Sequence, residues 1–138
     1  MKVLVDTPVW SIALRRQNRD LNVDELRLKD ALSELLDEGR IVTIGPVRQE
    51  LLSGIREELH FNRVRAGIES VEDLSIETAA YENAARMSNL CRSRGIANTS
   101  VDMLICAVAI ASGVPILTTD RDFLRYVRVL PIQLFQAA

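Results

Sequence analysis

The sequence predicts an α/β fold, a three-layer α/β/α sandwich on a short-stranded, mainly parallel sheet. Short apolar runs at Val3-Leu4-Val5, Ile41-Val42-Thr43-Ile44 and Val114-Pro115-Ile116-Leu117 do not alternate in polarity, which is the pattern of strands buried on both faces. Segments of helical period separate them, and strand-helix-strand order implies right-handed crossovers with helices covering both faces of a parallel sheet. Acids follow the first and last runs, Asp6 and Asp120. Open parallel sheets place their functional crevice beyond those carboxyl ends.

Val3-Leu4-Val5 forms the first strand and Asp6 ends it. Thr7 then supplies an N-cap and Pro8 suits the first helical turn, which predicts a helix to about Arg16. Leucines at 28, 32, 35 and 36 recur at helical spacing among charged residues, so Asp24 to Glu38 is an amphipathic helix stopped by Gly39. The strand Ile41 to Ile44 is followed by Gly45-Pro46 and a helix to about Leu52. Further helices are expected over Arg56 to Ser70 and, with Ala80, Ala84, Met87 and Cys91 on one face, over Glu77 to Arg94 before Gly95. Ser100 to Ser112 is the last long helix. The strand Val114 to Thr119 precedes a turn or short helix around Asp122 to Tyr126, and Val129 to Ile132 adds a final strand.

The chain has 138 residues, room for one domain spanning 1–138, and shows neither an internal repeat nor a linker. Its 48% hydrophobic and 26% charged residues exclude disorder and low-complexity sequence. A net charge of −2 excludes a surface coated in positive charge, so any nucleic-acid site must be local. Cys91 and Cys106 form no CxxC pair and have no histidine at ligand spacing, which argues against a zinc site or a disulfide framework and fits a reducing cytoplasm. No apolar run reaches the ~18 residues that a membrane span needs. His60, the single histidine, lies in a charged helical stretch and reads as surface.

Four acids stand out. Asp6 is kept from full solvation by the buried strand it ends, although an acid there also favours the positive end of the next helix. Asp102 is the lone charge on a helix otherwise apolar around its circumference; it is either a ligand or half of a capping box, Thr99-x-x-Asp102. Glu50 sits beside its helix's apolar stripe, about 60° from Val47, where it can face the sheet edge or simply be solvated. Of Asp120 and Asp122, Asp120 stands nearer the strand end, and Asp122 suits a cap for the Phe123-Leu124 turn. Four carboxylates meeting at one sheet end repel one another unless a cation compensates them. Oxygen-only ligation favours Mg²⁺ or Mn²⁺ over zinc.

Val3-Leu4-Val5-Asp6-Thr7-Pro8-Val9-Trp10, Gln49-Glu50-Leu51-Leu52-Ser53-Gly54, Val101-Asp102-Met103-Leu104-Ile105 and Leu117-Thr118-Thr119-Asp120-Arg121-Asp122-Phe123 occur in that order over nearly the whole chain. Together they resemble PIN-domain ribonucleases, and more narrowly VapC-type toxins of toxin-antitoxin pairs. The resemblance implies a PIN-like sandwich with Asp6, Glu50, Asp102 and Asp120 as a catalytic quartet. Asp6, Asp102 and Asp120 then hold Mg²⁺ or Mn²⁺, with Thr118 the polar residue ahead of the fourth acid. It also implies an RNA substrate, a homodimer and a VapB-type antitoxin lying across the active-site groove. Pro8 departs from the commoner Ser or Asn two places after the first acid.

Of the 17 basic residues 15 are arginine, a side chain suited to bidentate phosphate contact, although a GC-rich genome produces the same bias. Arg15 and Arg16 follow the first helix and are the candidate RNA contacts. Trp10 and Phe123 can stack on a base or fill the core. Competing readings are a non-toxin PIN-like nuclease in RNA processing and a non-catalytic module whose acids are caps. A haloacid-dehalogenase-type phosphatase needs an acid where Pro8 stands.

Overall fold

The first apolar run lies inside the sheet. In the structure, a computed structural model that describes residues 1–136, β1 (Val3–Val5) pairs with β2 (Ile41–Thr43) on one side and β4 (Ile116–Leu117) on the other. The short β3 (Glu72–Asp73) lies outside β2, giving the order β3-β2-β1-β4. All pairings are parallel, with Val3 opposite Ile41 and Leu4 opposite both Val42 and Ile116.

Helices α1 (Thr7–Leu14) and α2 (Val23–Asp37) link β1 to β2, and α3 (Gly45–Leu52) and α4 (Glu58–Ile68) link β2 to β3. Both crossovers step the same way across the sheet, so right-handed connection places these four helices on one face. Helices α5 (Thr78–Ser93) and α6 (Ser100–Ser112) return the chain from β3 to β4 in the opposite direction and therefore cover the other face. Packing follows the division: α1 meets α2 and α3, α3 meets α4, and α5 lies along α6. A short α7 (Phe123–Tyr126) follows β4.

Local chemistry sets the boundaries. Pro8 and Pro46 occupy first turns. Asn22 and Glu25 form a reciprocal capping box at the start of α2. Gly113, at φ +67°, ends α6 in the left-handed conformation that glycine tolerates best. Between its ends α6 buries Met103, Ile105, Cys106, Ala107, Val108 and Ala109.

Three expectations need correction. The N-cap of α1 is Asp6, with Thr7 already helical, and the helix stops at Leu14, short of Arg16. The last sheet strand is only Ile116–Leu117, because the Thr118 hydroxyl accepts the Asp120 amide and turns the chain. No strand forms over 129–132; Leu130 and Ile132 are buried at alternate positions, which imitates a strand, but the pairing is a single parallel bridge between Ile116 and Leu134. Conversely β3 was not expected, since both of its residues are acidic and backbone pairing to β2 alone defines it. Trp10 and Phe123 are fully buried core residues, which removes them as stacking platforms for a base. Among the described residues no helix is long and apolar enough to cross a membrane.

Leu4 is fully buried in β1, whereas Leu59 is 77% exposed. Leu4→Ala should cost about 2–5 kcal/mol in urea denaturation, and Leu59→Ala less than about 0.5 kcal/mol.

Candidate active site

Strand order makes the cleft. The crossover from β1 departs toward β2, and the chain returns on β1's other side as β4, so the helices part beyond the carboxyl ends of β1 and β4. A cavity of about 580 Å³ opens there, and Asp6, Glu50, Asp102, Asp120 and Asp122 all line it.

Asp6 is only 3% exposed. Its Oδ1 accepts the Thr7 amide at 2.8 Å and its Oδ2 the Thr118 hydroxyl at 2.7 Å. Burial pushes its carboxyl up to about 6, against the lowering effect of these two hydrogen bonds, and the nearby Asp102 and Asp120 charges add to the rise. Both sequence readings of Asp6 therefore meet in one side chain, a helix cap that also lines the cleft.

Asp102 enters from the first turn of α6. The Thr99 hydroxyl caps its amide at 3.1 Å, but the return half of the expected capping box is not among the described hydrogen bonds. Its Oδ2 instead accepts the Tyr126 hydroxyl at 2.7 Å, in a buried pair. Burial raises the Asp102 carboxyl, opposed by the Tyr126 bond and reinforced by the Asp120 charge. Burial, with the bond to Asp102, also pushes the Tyr126 phenol up, so it remains a donor. Tyr126 packs edge-on against Phe123, with ring centroids 5.0 Å apart. Sequence reasoning missed Tyr126, because an aromatic in a four-residue helix carries no signal beyond core packing.

Glu50 is exposed on α3, and its Oε1 accepts the Thr7 hydroxyl at 2.9 Å, which ties it to the first helical residue after Asp6. Asp120 follows the β4 turn, and its Oδ1 accepts the Asp122 amide at 2.9 Å. The capping role expected of Asp122 thus falls to Asp120; the Asp122 carboxylate makes no cap bond and pairs with Arg125 at 2.6 Å. Asp102, Asp120 and Asp122 each offer an oxygen within 4.8 Å of the others. Asp6 lines the same cavity with both oxygens already bonded within the chain.

This donor set fits a hard divalent cation. Every donor is a carboxylate, two of the acids are raised chiefly by burial and further by acidic neighbours, and Arg125, held by Asp122, is the one cation paired with these five acids among the described residues. The candidate RNA contacts lie apart from the cavity. Arg15 follows α1, and Arg16 is bound to Glu25 and to the Asp20 carbonyl.

An acid whose folded pKa lies above its unfolded value costs stability once ionised. For Asp6 the cost is absent below its ordinary value of 3.8 and complete above about 6. In metal-free protein Asp6→Asn should therefore raise the melting temperature at pH 7.5 and not at pH 4, a gain of about 1–2 kcal/mol after the weakened Thr118 bond is deducted. Tyr126→Phe should lose about 1.5–3 kcal/mol in urea denaturation at pH 7.5, since it strips a buried carboxylate of its donor while keeping the ring.

The PIN domain family model matches residues 3–129. A VapC ribonuclease of Mycobacterium bovis is 29% identical over 133 residues, covering 95% of this chain and 96% of the relative. Among solved structures, VapBC2 from Rickettsia felis, bound to a DNA fragment from its promoter, superposes with a TM-score of 0.76 at 16% identity, covering 98% of each chain. FitAcB from Neisseria gonorrhoeae gives a TM-score of 0.69 at 20% identity, covering 98% of this chain and 97% of that one. At these identities the structural likeness is one of fold.

Proposed function

The chain belongs to the PIN-domain family, and from that premise we propose that it is a metal-dependent endoribonuclease, the toxin of a VapBC-type toxin-antitoxin pair. The carrying observation is that Asp6, Glu50, Asp102 and Asp120, dispersed along the sequence, line one cavity at the carboxyl ends of β1 and β4. The VapC ribonuclease relative and the VapBC complexes of like fold support the toxin reading.

Asp6, Asp102 and Asp120 would hold Mg²⁺ or Mn²⁺, and Asp122 would join them by its proximity to Asp102 and Asp120. When bound, the cation would supply positive charge against the scissile phosphodiester and lower the pKa of water at the site. Thr7 and Thr118 fix the Asp6 carboxylate, and Tyr126 fixes that of Asp102, so these ligands need no reorganisation when substrate arrives. Glu50, anchored through one oxygen to Thr7, keeps the other to orient water and take its proton. The oxygen of that water attacks phosphorus in line, the bond to O3′ breaks, and the leaving oxygen gains a proton. The products carry 5′-phosphate and 3′-hydroxyl ends.

Arg15 and Arg16, outside the acidic cavity, serve as RNA contacts, a VapB-type antitoxin covers the groove, and the chain works as a cytoplasmic homodimer, a single PIN domain over 1–138. RNA cleavage by the purified protein should need Mg²⁺ or Mn²⁺, stop with EDTA, and fall at least a hundredfold in Asp102→Asn, an expectation of about 3 kcal/mol in transition-state stabilisation. Ends bearing 2′,3′-cyclic phosphate would overturn this mechanism. Independently of activity, millimolar Mg²⁺ should raise the melting temperature of the wild type and less so that of Asp102→Asn, by binding the folded state alone.

A further inference from the structure

We infer that the cavity between the C-terminal end of α1 and the start of α4 is a second anion site, holding a backbone phosphate of the RNA a few nucleotides from the acidic cleft; this rests on the nuclease reading above. The cavity, about 360 Å³, is lined by Arg15, Arg16, His60 and Arg63 with Glu57 the acid among them. Three guanidinium groups and an imidazole thus face one carboxylate, in a chain whose net charge is −2.

The fold builds this concentration of charge. His60, Arg63 and Gly67 share one stripe of α4 at helical spacing. Gly67 lets α4 come close to α1: a Cβ there would stand 2.8 Å from Leu14 Cδ2. Two helices distant in sequence are thereby held with their basic residues around one space. The negative end of the α1 dipole accounts for a cation at Arg15. It does not account for His60 and Arg63, which come from α4.

Two of the arginines have donors to spare. Arg16 is committed to Glu25 and the Asp20 carbonyl. Arg15 is half-buried, and the one described hydrogen bond of its guanidinium is a long 3.5 Å contact to the Leu51 carbonyl. The Arg63 guanidinium has no ion-pair or hydrogen-bond partner among the described residues. A guanidinium presents five N–H donors in a fork that fits phosphate oxygens.

Position favours RNA over an acidic peptide as the source of the anion. The Leu51 carbonyl that Arg15 reaches adjoins Glu50, and Ser53, one turn on, lines the acidic cleft. From Thr7, which touches Glu50, to Arg15 is about 12 Å of helical rise. A strand held at the acids therefore reaches the basic cavity by crossing the end of α3. Five carboxylates outnumber the charge of one divalent cation, so cations outside the cleft have to add to the affinity for a polyanion, with the salt dependence of phosphate binding.

Anisotropy titrations of a labelled single-stranded RNA dodecamer test the site, in an Asp102→Asn background with Mg²⁺ so that the strand survives. Arg15→Ala and Arg63→Ala should each weaken binding about five- to tenfold and flatten the dependence of log Kd on log salt by about 0.7. Arg65→Ala, exposed on another side of α4, should change neither, and circular dichroism should show all the variants folded. Unchanged affinity and salt slope in both variants, with RNA cleavage by the wild type, overturns this proposal alone and leaves the cavity to an acidic peptide. A wild type that does not cleave RNA overturns the nuclease reading and this site with it.

Discussion

A carboxylate held almost out of water is the constraint around which the rest of the molecule is arranged. Asp6 ends the strand β1, which lies between β2 and β4, so the sheet itself desolvates it. Desolvation alone would favour the neutral acid, and Asp102 and Asp120 nearby push the same way. Two hydrogen bonds oppose this, one from the adjoining helix and one from Thr118, directly after β4. The Thr118 bond spans 112 residues of sequence, so the position of Asp6 depends on β4 having joined β1. The apolar sandwich is what keeps these acids together in spite of their mutual repulsion.

Parallel pairing and crossover direction explain why the acids arrive where they do. Each enters from a different element: Asp6 from the end of β1, Glu50 from α3, Asp102 from the first turn of α6, and Asp120 from the turn after β4. The helical layers on the two faces contribute one each, Glu50 and Asp102, and the strand ends supply the others. Residues that do no chemistry hold them in place. Tyr126 reaches Asp102 from α7, and Thr7 links Asp6 to Glu50.

Much of this was legible in the sequence because burial leaves a pattern. Unbroken apolar runs marked the interior strands, and prolines with glycines marked the helix ends to within a few residues. Asp102 was conspicuous as the lone charge on an apolar helix, and Asp6 and Asp120 by their position after strands. What escaped notice had no such pattern. Strand β3 is two acids joined to the sheet through backbone alone. The Tyr126–Asp102 bond joins residues whose separation carries no periodicity, and the cavity between α1 and α4 depends on how closely two helices approach at Gly67. Leu130 and Ile132 misled for the opposite reason, since alternate burial occurs in an extended loop laid on a core as well as in a strand.

The sheet's outer margin has a consequence for solubility. Strand β3 is short and carries Glu72 and Asp73, neutralised in part by Lys2 at 2.9 Å and Arg48 at 3.0 Å. A brief, ionic border is a poor template for another extended segment, whereas a long apolar one invites edge-to-edge aggregation. The opposite border is occupied by the Leu134 bridge to Ile116. Both rims are therefore guarded against fibril-like growth.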